Sequence, residues 1–238
     1  VRLDLALVER GIARSRNHAA QLIADGRVTI NTRPAAKPSQ PVAPTDEISA
    51  EVERWVSRAA HKLLGALDDT GLQIPARVLD AGASTGGFTQ VLLERGARCV
   101  HAVDVGHDQL VAELRRDPRV VVHEGLNLRD LTLDHLGGEP VDLVVGDVSF
   151  ISLRLLLPRL LGVLNQDGEA LLLVKPQFEV GRERLGSGGV VRDAALRREA
   201  VDAVCADAAE LGWLERWRGE SRLPGSAGNV EFFVRLTR

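Results

Sequence analysis

Val78-Leu79-Asp80-Ala81-Gly82-Ala83-Ser84-Thr85-Gly86-Gly87-Phe88-Thr89 reads as an apolar strand that turns through glycines into a helix. In open α/β sheets that turn, at the carboxyl end of a strand, is where nucleotide-like ligands bind. The spacing excludes the dinucleotide fingerprint, because Gly82 is followed by Ala83 and Ser84 rather than by a second glycine, and no Gly-Lys-Ser/Thr phosphate loop occurs in the chain. Asp80 narrows the choice further. A carboxylate just ahead of the glycines repels a pyrophosphate but suits S-adenosylmethionine, whose methionine end presents an ammonium and a sulfonium. Asp80, Gly82, Ser84, Thr85, Gly86, Gly87 and Phe88 are therefore the candidate cofactor-binding residues of this loop.

Outward from the loop, strand and helix patterns alternate as a parallel sheet with crossovers requires. Strands are predicted at 77–81, 99–105, 120–123, 141–147 and 169–175, and helices at 87–95, 109–116, 153–164 and 194–211. The end differs: strands at 213–220 and 230–236, joined by Pro224-Gly225-Ser226-Ala227-Gly228-Asn229, favour an antiparallel finish. The expected fold class is α/β, the Rossmann-like layout of class I methyltransferases, a mostly parallel sheet with an antiparallel last strand. Asp104 ends the second strand, where an acid commonly holds the ribose hydroxyls of an adenosine cofactor. Asn127, after the third, is either a partner for the adenine edge or a turn residue.

Lysine usage points to a second group of residues. Of thirty basic side chains only Lys37, Lys62 and Lys175 are lysines. Arginine stays protonated in proteins, whereas an amine that is buried or set beside another cation can act as a base. Lys37 lies in a proline-rich edge and is read as incidental. Lys175 closes the fifth strand and faces the ligand crevice, and Lys62 sits on a helix that Ser57 can cap. Asp147 closes the fourth strand and Glu231 opens the last. Each alone is a surface ion pair, but all four on one sheet edge beside a methyl-donor loop point to catalysis.

Ahead of this domain, 3–11 reads as a short helix stopped by Gly11, Ser15 as the cap of a second helix through Ala24, and 27–33 as a strand. Pro34, Pro38, Pro41 and Pro44 then admit only edge or irregular structure. The chain divides into a small α+β domain at 1–53, a linker at 54–58, in which Trp55 is a packing residue, and a domain at 59–238. A net charge of -3 argues against a nucleic-acid partner, but residues 1–38 carry seven basic and three acidic side chains, +4 against -7 for the rest. Only the short part is built to meet a polyanion. Arg2, Arg10, Arg14, Arg16 and Arg27 are its candidate RNA-binding residues.

Composition sets the remaining bounds. Hydrophobic content of 45% and charged content of 26% describe a globular chain, and apolar runs such as Ala170 to Val174 are far too short for a membrane span. Cys99 and Cys205 make no disulfide framework, so a cytoplasmic location is expected. The six histidines show no ligand spacing, so no metal is expected. The lack of Met, with Val1 already in a helical pattern, implies a trimmed start or an unusual start codon. Gly181 to Asp193, rich in glycine and arginine, is read as a mobile lid.

The pattern Arg2-Leu3-Asp4, Gly11, Ser15-Arg16, Ala19-Ala20, Leu22-Ile23, Gly26-Arg27-Val28 resembles the small RNA-binding module of ribosomal protein S-four, departing at Thr32, where many members carry a turn glycine. A differently shaped turn is expected there. The order Lys62, Asp147, Lys175, Glu231 resembles the Lys-Asp-Lys-Glu tetrad of FtsJ-type ribose 2'-O-methyltransferases. With the phrases Ser57-Arg58-Ala59-Ala60-His61-Lys62-Leu63, Asp147-Val148-Ser149-Phe150-Ile151-Ser152, Val174-Lys175-Pro176-Gln177-Phe178-Glu179 and Gly189-Val190-Val191-Arg192-Asp193, essentially the whole chain is similar to the TlyA family.

The resemblance implies methylation of a cytidine 2'-hydroxyl in bacterial rRNA, within ribosomal subunits; some members also carry the name haemolysin. Two other readings stand beside it: a non-catalytic assembly factor whose RNA and cofactor binding is unaffected by Lys175→Ala and which leaves no methyl mark, and a membrane-active protein, for which the lack of any span or signal predicts no dye leakage from liposomes. Amine methylation fits less well, since the fourth strand ends in Asp147-Val148-Ser149-Phe150 rather than Asn/Asp-Pro-Pro-aromatic. A cytosine-carbon mechanism needs a cysteine nucleophile in the crevice, and neither cysteine is placed for it.

Overall fold

The computed structural model describes residues 1–13, 15–51 and 54–238. Packing divides them into two units, Val1–Arg54 and Trp55–Arg238.

In the first unit, α1 (Leu3–Glu9) and α2 (Arg16–Ala24) lie over a three-stranded sheet of β1 (Val28–Ile30), β2 (Arg33–Pro34) and β3 (Ile48–Ala50), in the order β2-β1-β3. Leu3, Leu7, Leu22, Ile23, Val28 and Ile48 close its core. Ser15 caps α2, its hydroxyl accepting from the His18 amide at 3.1 Å. The single strand expected over 27–33 is a hairpin instead. Asn31 (φ 49°) and Thr32 (φ 69°) are both left-handed, the geometry of a tight two-residue turn. The turn therefore keeps the left-handed shape that a glycine favours and places a β-branched residue in it. Asn31 holds the shape, donating to Asp46 Oδ1 at 2.8 Å and accepting from the Glu47 amide at 2.9 Å. Pro34 falls on the edge strand, where its missing N–H costs least.

The second unit begins with α3 (Ala59–Thr70), followed by β4 (Arg77–Ala81), α4 (Gly87–Glu94), β5 (Cys99–Asp104), α5 (Ala112–Arg115), β6 (Val120–Glu124), β7 (Val141–Gly146), α6 (Leu157–Gly162), β8 (Leu164–Val174), α7 (Pro176–Glu179), α8 (Ala194–Glu210), β9 (Leu214–Glu220) and β10 (Phe232–Thr237). Its seven strands run β6-β5-β4-β7-β8-β10-β9, with β10 antiparallel to both neighbours. The expected α/β architecture is met. Alternate residues divide between two cores: Val78, Leu143, Val145 and Leu171 face the layer of α3 and α4, while Leu79, Val144 and Leu172 face that of α6 and α8. Burial on both faces explains why these strands read as continuous apolar runs.

Element lengths differ from expectation in three places. The helix expected over 109–116 is only the four residues of α5. That expected over 153–164 is a 3-10 turn at Leu153–Leu155 and then α6, with Pro158 in the first turn of α6, where its missing N–H is tolerated. Strand β8 starts five residues early, and its register against β7 shifts between Val141 and Leu143. Gly181 to Asp193 is no free lid: Val191 is buried with Val180 and Ala200, and the Asn229 carboxamide accepts from the Val191 amide at 2.9 Å and donates to the Gly189 carbonyl at 3.0 Å.

Candidate active site

Strand order reverses between β4 and β7, and the crevice beyond their carboxyl ends is the place an open α/β sheet offers a ligand. Gly82 leaves β4 at φ +84°, and a Cβ there would meet the Asp147 carbonyl oxygen at 3.0 Å, so only glycine lets the two strand ends come this close. Ser84, also left-handed at φ 48°, donates its amide to Asp104 Oδ2 at 2.8 Å. Asp104 Oδ1 takes the Gly106 amide at 2.7 Å. The acid is thus fixed in place by two backbone donors at the lip of a cleft of about 500 Å³, which Gly82, Ser84, Val105, Asn127 and Asp147 also line.

A second, smaller cleft of about 170 Å³ shares Gly82, Ser84, Asp147 and Ser149 with the first and adds Thr85, Gly87, Phe88 and Lys175. Together the two hold every predicted residue of the glycine loop except Asp80 and Gly86. Asp80 lies beneath the loop, 0% exposed, with Oδ2 accepting from Thr89 Oγ1 at 2.7 Å and Oδ1 without a partner among the described residues. Burial pushes its carboxyl up to about 7, against the Thr89 hydrogen bond and helped by the nearby Asp147 charge. Asn127 lines the larger cleft but spends its side-chain oxygen on the Arg129 amide, at 3.0 Å, to open a 3-10 turn. It is therefore a turn residue that also lines the cleft.

Beside the smaller cleft the structure brings Lys62, Asp147, Lys175 and Glu231 together. Lys175 follows β8, and because β10 runs antiparallel with Phe232 opposite Val174, Glu231 lies at the same sheet edge. Lys62 comes from α3, and its Nζ is 2.7 Å from Glu231 Oε2 and 3.6 Å from Asp147 Oδ2. Lys175 Nζ is 2.5 Å from Asp147 Oδ1 and donates to Ser149 Oγ at 2.7 Å. The lysines are 6% and 7% exposed, so neither is an ordinary surface cation. Two buried cations need two buried anions, and the four charges cancel.

Sequence reasoning passed over the residues that hold these four. Ser149 is the second partner of Lys175, and Gln177 Nε2 donates to Glu231 Oε1 at 3.2 Å. Gly225 leaves room for Glu231, whose Oε1 would lie 2.5 Å from a Cβ at that position. Phe150 is 91% exposed at φ +66°, a conformation that costs a bulky residue about 1–3 kcal/mol. An aromatic directly after Asp147-Val148-Ser149 was the available signal. Ser57, expected to cap α3, accepts from the Ala59 amide at 3.2 Å, one residue ahead of the Arg58 cap. Trp55 packs in this unit, edge-on to His61.

In the first unit the predicted RNA-binding arginines are less free than their number suggests. Arg2 and Arg16 both bind Asp4, at 2.9 and 3.0 Å, while remaining 49% and 58% exposed. Arg2 foremost, then Arg16, holds the Asp4 carboxyl at about 2. Arg10 donates to the carbonyls of Asp46, Ala43 and Pro44 at 2.7, 3.2 and 3.2 Å, tying α1 to the loop before β3. Arg27 is exposed. Arg14 lies outside the described residues. Among the described residues no cluster of three or more metal-ligating side chains occurs, and no helix is long and apolar enough to cross a membrane.

Residues 55–238 match the family of FtsJ-like methyltransferases, and residues 1–48 match the S4 domain. A 16S/23S rRNA (cytidine-2'-O)-methyltransferase TlyA from Mycobacterium tuberculosis is 53% identical over 99% of this chain and 89% of its own length. Hemolysin A of Brachyspira hyodysenteriae is 37% identical over 98% of both chains. A solved structure from Streptococcus thermophilus superimposes with a TM-score of 0.76 at 37% identity, covering 99% of this chain and 87% of that one. The chain therefore belongs to the FtsJ-like methyltransferase family, as a TlyA-type member with an S4 domain at its N-terminus.

Proposed function

We propose that the protein transfers a methyl group from S-adenosylmethionine to the ribose 2'-hydroxyl of a cytidine in rRNA, within a ribosomal subunit. The observation that carries this reading is the position of Lys175, whose amine is held between Asp147 and Ser149 at the edge of a cleft bordered by the glycine loop. The cleft fits the donor: Gly82 and Gly87 leave space in its lining, Asp104 would hold the ribose hydroxyls, and Asp147 would supply negative charge toward the cationic methionine end. When bound there, S-adenosylmethionine supplies an electrophilic methyl on sulfur.

A ribose hydroxyl keeps its proton far above neutral pH, so its attack needs a placed partner for that proton. Lys175 is that partner: the ammonium of the ion pair gives its proton to solvent to become the amine that takes the hydroxyl proton, and the ammonium re-formed steadies the oxygen left behind. Asp147 orients Lys175, and Lys62 ties Asp147 to Glu231, so the group keeps one geometry while the O–C bond forms and the S–C bond breaks. Phe150, exposed beside Ser149, offers a stacking face for an unpaired base. In the S4 domain, Arg2, Arg16 and Arg27 are exposed and would meet the phosphate backbone.

The test is transfer of tritium from labelled S-adenosylmethionine to bacterial rRNA, together with mapping of 2'-O-methyl groups in cells with and without the protein. A single cytidine mark that disappears with the protein is the expected result. Label retained on RNA whose target nucleotide is a 2'-deoxyribose would overturn the reading.

A further inference from the structure

Residues 175–179 reach forward from β8 and fasten one loop from several sides. Lys175 holds Asp147 and Ser149. The Phe178 ring packs 5.5 Å from that of Phe150, centroid to centroid. Glu179 accepts from Ser152 Oγ at 2.6 Å and from the Leu153 amide at 2.7 Å. All of these partners fall within 147–153, the loop that carries Asp147 and presents Phe150.

That loop needs holding. Phe150 is left-handed in its backbone and almost wholly exposed, so its own ring contributes little burial to keep it there. A strained conformation of this kind persists only where the surroundings over-determine it. Ser149 is pinned on one flank by Lys175, and the other flank is pinned by Glu179 alone among the described side chains with a hydrogen bond to Ser152 or Leu153. Glu179 lines neither cleft, so it acts through the loop and not on a ligand. Its nearest charges belong to a separate pair, Arg154 with Asp207. Burial raises its carboxyl above the ordinary glutamate range, while the Ser152 and Leu153 donors oppose that shift, as they do for a carboxylate kept in place by neutral donors.

We propose that Glu179 is a positioning residue whose carboxylate braces the 149–153 loop, and so sets where Phe150 seats the target base beside Lys175. The seating rests on the function proposed above; the brace rests on the hydrogen bonds alone. Glutamine at this position can still accept from the Leu153 amide and donate to the Ser152 hydroxyl, whereas alanine can do neither.

The experiment compares the full chain with Glu179→Ala and Glu179→Gln. For Glu179→Ala, kcat/KM on rRNA falls about tenfold or more, in line with the cost of small misplacements near a reacting centre. Amide hydrogen exchange over 149–153 speeds up in the same variant, while the Kd for S-adenosylhomocysteine, measured by calorimetry, moves by less than about threefold. Glu179→Gln restores both exchange and kcat/KM to within about threefold of the parent. Unchanged exchange in Glu179→Ala overturns the brace, as does a loss of cofactor affinity as large as the loss of turnover, which would report general damage. Faster exchange with unchanged kcat/KM overturns the seating. If the parent protein itself transfers no methyl to rRNA, the proposed function falls, and the exchange comparison still decides the brace.

Discussion

In Val1–Arg54 a nearly buried carboxylate, Asp4, is met by two guanidiniums that stay about half exposed; in Trp55–Arg238 the carboxylates of Asp147 and Glu231 are met by two lysines that are themselves nearly buried. The first arrangement leaves cationic surface facing water, and the guanidinium forks can serve an internal acid and a phosphate at once. The second leaves almost nothing facing water, and its charges are available only to a group that enters the cleft. On the function proposed above, ion pairs of the same sign pattern would serve as an electrostatic grip in one unit and as a reaction centre in the other. The deciding variable is desolvation of the cation and not the number of charges.

The largest effect that would sharpen this contrast is at Lys175. Lys175→Arg keeps the charge but removes the compact amine, and methyl transfer to rRNA is expected to fall about a thousandfold, within the usual range for a proton-transfer group. Cofactor binding, followed by calorimetry, is expected to persist. Turnover near the parental level would show that the buried pair is structural. At the grip, raising salt from about 50 to 200 mM is expected to weaken rRNA binding by one or more orders of magnitude while hardly changing cofactor affinity. Arg27→Ala should lower the slope of log K against log salt by about one. A slope that ignores Arg27 would place the phosphate contacts elsewhere.

Smaller effects separate the two kinds of buried acid by pH. Asp80 is raised to about 7 in the fold, so between its unfolded value near 3.8 and that point the folded state binds more protons than the unfolded one. Stability is therefore expected to fall as pH rises from about 4 to 7, by at most about 1.4 kcal/mol per unit, and Asp80→Asn should flatten the slope in denaturant titrations. A profile unaffected by the substitution would contradict the burial argument. Asp4 runs the other way. Lowered to about 2, it contributes stability that is present above its unfolded value and is lost as pH falls through about 2. Asp4→Asn should remove that acid-side loss in circular-dichroism titrations, with the smallest effect of the four.

The glycine loop, the strand-helix alternation and the reversed last strand were legible because they are local: each is a periodicity or a turn written in consecutive residues. Lys62 and Lys175 were legible through arginine bias and through family resemblance, since nothing within a few residues of Lys62 names Glu231 as its partner, 169 positions away. The two-residue turn at Asn31 and Thr32 was not legible, because a threonine at φ 69° contradicts local preference and stands only with Asn31 fastened to Asp46 and Glu47. Ser149, Gln177 and Glu179 escaped notice for a related reason. Ser, Gln and Glu are common on surfaces, and only a hydrogen bond to a distant part of the chain gives each a task.

Residue order alone settled that a parallel sheet carries a glycine loop unsuited to pyrophosphate, that a basic domain precedes it, and that two scarce lysines and two acids fall at strand and helix ends. Local backbone preference and hydrophobic period are properties of short windows, and a chain cannot hide them. Which cations would be buried, which arginines would be engaged by Asp4 or by carbonyls, and that Asp80 would sink beneath its loop were decided only when distant segments packed. Desolvation and hydrogen-bond pairing depend on what surrounds a side chain in space, and the same aspartate can be held at about 2 or pushed up to about 7 according to those neighbours.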